Sequence, residues 1–132
     1  MSHTLNVLPD VIQHAAGLSR FLQRMLDSRP WLAGDLAASI DHALGADAMR
    51  TFIADKGADE ARLRPTLRQL RTWVICHLIV RDLAGRANLS EVTETMTVLT
   101  EVAVRHAHDV LREAMVQRYG QPLSTTGWEQ EL

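Results

Sequence analysis

A chain of 132 residues is the size of one domain, and its 14 Lys and Arg against 16 Asp and Glu leave a formal charge of −2. Nothing in that balance draws the whole molecule to nucleic acid or to an anionic membrane. Hydrophobic residues make up 46% of the chain but aromatic ones only 5%, and the single cysteine excludes an internal disulfide, so a core must be assembled mainly from Leu, Val, Ile, Ala and Met in a reducing compartment.

Alternating apolar and polar residues over strand length are absent, whereas three- and four-residue spacing recurs, which predicts an all-α fold. The first helix is expected from about Pro9 to Asp27, with Val11, Ala15, Leu18, Leu22 and Met25 as its stripe. Pro30 suits the first turn of a second helix reaching Leu44 and closed by Gly45, because a proline there sacrifices no helical hydrogen bond. A third, short helix fits Ala46 to Asp55, stopped by Gly57, with Met49, Phe52 and Ile53 turned inward.

The fourth helix, about Asp59 to Ala84, is apolar nearly all round in its second half, from Trp73 to Val80, and so belongs in the middle of a bundle. Gly85 ends it, and Ser90 is the expected N-cap of a fifth helix from Glu91 to about Tyr119, ~43 Å long. The expected architecture is a single bundle of about five helices over residues 1–120, the last two long and antiparallel. Residues 121–132 read as an extended linker. The N-terminus lacks a secretion signal, and no apolar run approaches the roughly 20 residues of a membrane span. A cytoplasmic protein without nucleic-acid or membrane partners is expected; a neighbouring copy could complete the apolar fourth helix as a homodimer.

The polar residues offer few catalytic patterns. His106 and His108 point roughly 200° apart on a helix, and no His-Glu-x-x-His occurs. His106 falls on an apolar stripe, where a core histidine bonded to a facing helix is the common outcome; His77, with Arg81 four residues on, reads either way. Cys76 lies between Ile75 and His77 in an apolar helix, as a small core side chain would. Neither a glycine-rich phosphate loop nor an Asp-x-Asp pair is present. The chain is expected to hold no catalytic, cofactor or metal residues of its own. Arg62, Arg64, Arg68, Arg71 and Arg81 remain, either as a solvated face paired with Asp59, Glu60 and Asp82 or as an interaction surface for an acidic partner.

Three segments in order resemble the N-terminal helical region of bacterial glutamine synthetase adenylyltransferase. The first is Leu18-Ser19-Arg20-Phe21-Leu22 with Ser28-Arg29-Pro30-Trp31-Leu32, similar to the family's helix and Pro-Trp-Leu turn. The second is Leu67-Arg68-Gln69-Leu70-Arg71 leading to Arg81-Asp82-Leu83-Ala84-Gly85. The third is Arg118-Tyr119-Gly120-Gln121-Pro122 with Gly127-Trp128-Glu129-Gln130-Glu131-Leu132, where the family leads into its nucleotidyltransferase domain. The chain departs from the family at Thr72, Trp73 and His77, where basic residues are common, and at Val80, where tryptophan is frequent. The resemblance implies a non-catalytic helical platform of an enzyme that adds AMP to glutamine synthetase and removes it. The complete enzyme would use ATP and Mg²⁺ and meet a nitrogen regulatory signal protein. The alternative is a stand-alone helical adaptor that binds a partner through its arginine-rich face.

Overall fold

The computed structural model describes residues 8–120, and the linker expected at 121–132 lies outside them. Among the described residues the elements are α1 (Asp10–Leu18), α2 (Arg20–Ser28), α3 (Leu32–Ser39), α4 (Ala46–Lys56), a 3-10 turn (Glu60–Arg62), α5 (Leu63–Leu83) and α6 (Leu89–Tyr119). The all-α expectation holds, with six helices rather than about five.

The extra helix comes from a break at Ser19, which the apolar spacing had run through. Ser19 takes extended backbone angles, and its Oγ accepts from Leu22 N at 3.1 Å. It therefore closes α1 and caps α2, as a short polar side chain at an N-cap does. The second expected helix is also shorter: α3 begins only at Leu32, after Pro30, and ends at Ser39.

Gly57 ends α4 as expected. Its φ of +124° belongs to glycine, and a Cβ there would lie 2.8 Å from Arg62 Cγ. The Gly57 carbonyl accepts from Thr66 Oγ1 at 2.8 Å, tying the turn to α5. α6 starts two residues before the expected point, because Asn88 rather than Ser90 is the cap: Asn88 Oδ1 accepts from Glu91 N at 2.8 Å. Asn88→Ala is expected to cost about 1 kcal/mol, read as a lower denaturant midpoint at unchanged slope.

α5 packs against each of the other five α-helices. Leu70, Val74, Cys76, His77 and Val80 are fully buried along it, which accounts for a sequence that is apolar nearly all round. α5 and α6 are antiparallel: Arg81 meets Glu91 at their joined ends, and Arg118 of α6 reaches Glu60, just before α5, at 3.6 Å. Ile12, Leu22, Leu32, Leu36 and Met49 complete the core from the shorter helices. No helix among the described residues is long and apolar enough to cross a membrane.

Candidate interaction surface

Trp73, His77 and Arg81 stand four residues apart and therefore share one face of α5. That face meets α3, and each side chain donates to one of its carbonyls. Trp73 Nε1 reaches Asp35 O at 3.3 Å, His77 Nε2 reaches Ser39 O at 2.8 Å, and Arg81 Nη1 reaches Ile40 O at 3.0 Å. The last carbonyls of a helix have no backbone partner within it, and α5 adds donors there to the local ones from Ser39 Oγ and His42 N.

Arg81 uses its remaining nitrogens across the α5–α6 turn. Nε donates to Glu91 Oε2 at 2.7 Å, and Nη2 donates to Glu91 Oε1 at 3.0 Å and to Arg86 O at 3.4 Å. Its side chain is only 9% exposed. Arg81 is thus placed inside the fold, away from the other arginines of the expected surface. Sequence reasoning offered Asp59, Glu60 and Asp82 as partners for the arginine face and missed Glu91. Adjacent helical residues point about 100° apart, so Asp82 could not share the direction of Arg81.

A carbonyl can only accept, so Nε2 of His77 carries a proton. Nδ1 is buried without a partner. Burial holds the His77 pKa below its ordinary 6.5 despite the Ser39 hydrogen bond. The Glu91 carboxyl is held below the usual carboxylate range, chiefly by the Arg81 hydrogen bond.

Both shifts act in one direction. The unfolded chain takes up protons that the folded chain refuses, so stability falls as pH drops below about 6.5 for His77, and again below the ordinary carboxyl range for Glu91. Urea midpoints are expected to decline between pH about 7 and about 5, and His77→Gln should flatten that decline.

Arg64, Arg68 and Arg71 behave differently. Spaced four and three apart, they form one stripe on the first half of α5, and all three are exposed. None forms an ion pair among the described residues. The acids expected to neutralise them are engaged elsewhere: Asp59 Oδ1 accepts from Arg62 N at 3.0 Å, and Glu60 pairs with Arg118. Arg62 sits at the edge of the stripe, half-buried, with Nε on Lys56 O at 3.3 Å and Nη2 on Gln69 Oε1 at 3.4 Å. The first turn of α5 carries no acidic residue. With no acidic side chain alongside them on α5, the arginine charges make the stripe suited to carboxylates.

The other candidates are structural in their surroundings. Cys76 is fully buried, and burial pushes its thiol up to about 11, so little thiolate forms near neutral pH. His106 is half-buried with Nε2 lacking a partner, and exposed His108 lies 3.5 Å from Asp109. No group of three His, Cys, Asp or Glu among the described residues could hold a metal ion. The aromatic knot escaped sequence reasoning. Trp73 stacks on Phe52 at 4.6 Å, Trp31 meets Phe52 edge-on, and Lys56 Nζ lies 4.9 Å from the Trp31 ring centre and 3.0 Å from Asp35 Oδ2.

The family model described as glutamate-ammonia ligase adenylyltransferase matches residues 10–132. Over its full length the chain is 61% identical to the bifunctional glutamine synthetase adenylyltransferase/adenylyl-removing enzyme of Aromatoleum aromaticum, of which it covers 14%. It is 41% identical to the protein of the same description from Nitrosomonas eutropha, over 86% of the chain and 13% of that protein. The counterpart from Bordetella pertussis is 36% identical over 89% of the chain, again with 13% of the relative covered. No solved structure matches the chain. The chain therefore spans about one seventh of the length of these relatives.

Proposed function

The chain belongs to the glutamate-ammonia ligase adenylyltransferase family, and from that premise we propose that it is the N-terminal helical segment of an enzyme that adenylylates and deadenylylates glutamine synthetase. Its own role is that of a non-catalytic platform. The observation that carries this reading is 61% identity over every part of the chain to an enzyme about seven times as long. The polar interior supports it: Trp73, His77 and Arg81 are spent on the end of α3 rather than converging on an open cavity.

The complete enzyme would work in the cytoplasm, draw on ATP and Mg²⁺, and answer to a nitrogen regulatory signal protein. Glutamine synthetase, Mg²⁺ and ATP mixed with the purified chain should show no gain of AMP, and adenylylated glutamine synthetase with phosphate should show no loss. Subunit mass spectrometry reads both. A mass change in either direction caused by this chain alone would overturn the platform reading.

The exposed, unpaired stripe favours a second role alongside the first, contact with an acidic protein surface through Arg64, Arg68 and Arg71. Reversing all three to Glu should leave folding within roughly 0.5 kcal/mol per site. In the complete enzyme it should weaken binding of the acidic partner in a salt-dependent way. Unchanged affinity would remove this role and leave the platform standing.

A further inference from the structure

The far half of α6 exposes a line of large apolar side chains. Val104 is 63% exposed, Leu111 50%, Met115 57% and Tyr119 75%. At 100° per residue they fall within roughly 80° of one another, on the side of the helix opposite Thr95, Leu99 and Val102, which pack into the bundle. Single exposed apolar residues are ordinary on a protein surface, but here Leu111, Met115 and Tyr119 follow one another at four-residue steps, with Val104 on the same line beyond the exposed His108. At one end Val104 also borders an open groove between α4 and α6, whose lining mixes Ile53 and Ala54 with Arg50, Glu101 and Arg105.

This part of α6 is held in place. Ala114 is buried, Arg118 is tied to Glu60, and Gly120 closes the helix with its N–H on Val116 O at 2.7 Å. Ala114 and Arg118 thus anchor the helix along one edge of the apolar line, and the line itself stays exposed.

Two occupants can be weighed by area and tethering. The stripe offers on the order of a few hundred Å² of apolar surface, short of the roughly 800 Å² per partner of a stable association between free molecules. A contact within one polypeptide needs less, because the tether supplies a high effective concentration. The relatives carry about six sevenths of their length outside the part this chain matches.

We propose that Val104, Leu111, Met115 and Tyr119 form the seam by which this helical segment docks against an apolar face contributed by the rest of the enzyme's own polypeptide. The proposal rests on the reading of the chain as one segment of that enzyme. It does not depend on whether the segment takes part in catalysis.

Thiol accessibility tests it. Leu111→Cys and Met115→Cys are introduced separately into the 132-residue chain and into the complete enzyme. Glu113→Cys, on the opposite side of the helix, serves as the control. Labelling by a maleimide is followed by peptide mass spectrometry, with Cys76 as the internal unreactive thiol.

The expected result is labelling at 111 and 115 at least about ten-fold slower in the complete enzyme than in the short chain, with residue 113 little changed; the residual rate reports the open population. Equal rates in the two proteins, or equal slowing at 113, would overturn the proposal. So would slowing within the short chain that grows with its concentration, which would assign the face to a second copy. A Leu111→Glu/Met115→Glu variant should leave the melting temperature of the short chain unchanged and lower that of the complete enzyme; equal effects on both would overturn the seam. AMP transfer by the short chain would refute the platform role without touching this result.

Discussion

Arg81→Ala is expected to lower the unfolding free energy by about 3–5 kcal/mol, the usual effect of removing one partner of a buried ion pair. Of a total stability on the order of 5–15 kcal/mol, that is enough to leave a large unfolded fraction at modest temperature. The cause is local. The substitution strips the donors from Ile40 O and Arg86 O and leaves the Glu91 carboxylate, only 15% exposed, without its counter-charge. Glu91→Ala should cost less, since the guanidinium keeps both carbonyl partners. The pair Arg81→Met with Glu91→Leu should recover part of the loss, because a well-packed apolar replacement avoids the buried lone charge. Urea titrations of Arg81→Ala, Glu91→Ala and the Arg81→Ala/Glu91→Ala double variant give the coupling energy. A loss below about 1 kcal/mol for Arg81→Ala would mean that water replaces the ion pair without penalty.

Trp73→Ala should be nearly as damaging, at about 3–5 kcal/mol. Trp73 is 5% exposed, lies parallel to Phe52 with 10° between the ring planes, and donates to Asp35 O. Truncation therefore opens a cavity where α3, α4 and α5 meet and frees the Phe52 face. Trp73→Phe separates the contributions: the ring stack survives, the N–H is lost, and the expected cost is about 1–2 kcal/mol. Equal losses for the two variants would place the energy in the hydrogen bond rather than in packing.

Much of the fold was legible in the sequence because helical periodicity and glycine stops are local signals. Met49, Phe52 and Ile53 are buried as the short-helix pattern required, Gly57 and Gly85 end their helices, and the apolar second half of α5 lies among its neighbours. The break at Ser19 was missed because Val11, Ala15, Leu18, Leu22 and Met25 keep helical spacing across it. Gly17 and the capping hydroxyl were the available signs. Asn88 with Glu91 three residues on is itself a capping pattern, overlooked in favour of Ser90.

The arginines were legible as a cluster but not as two classes. What separates exposed Arg64, Arg68 and Arg71 from buried Arg81 is the position of Glu91 on the next helix and of the Ile40 carbonyl, 41 residues away in sequence. Such distances carry no local signature. Spacing alone did carry one unused hint: Trp73, His77 and Arg81 are three hydrogen-bond donors on a single face of an apolar helix.

The donors that α5 lends to α3 also determine when α3 can exist. Eight residues with Gly34 inside them are too few to hold a helix in water. Beyond the local bonds of Ser39 Oγ and His42 N, its C-terminal end is held by donors that follow 38 to 41 residues later. α3 is therefore expected to have its opening coupled to the seating of α5. Its slowest-exchanging amides should share one protection free energy with those of residues 73–81 and lose it together when Arg81 is removed. During folding it should be late to form, waiting on a long loop closure rather than nucleating on its own.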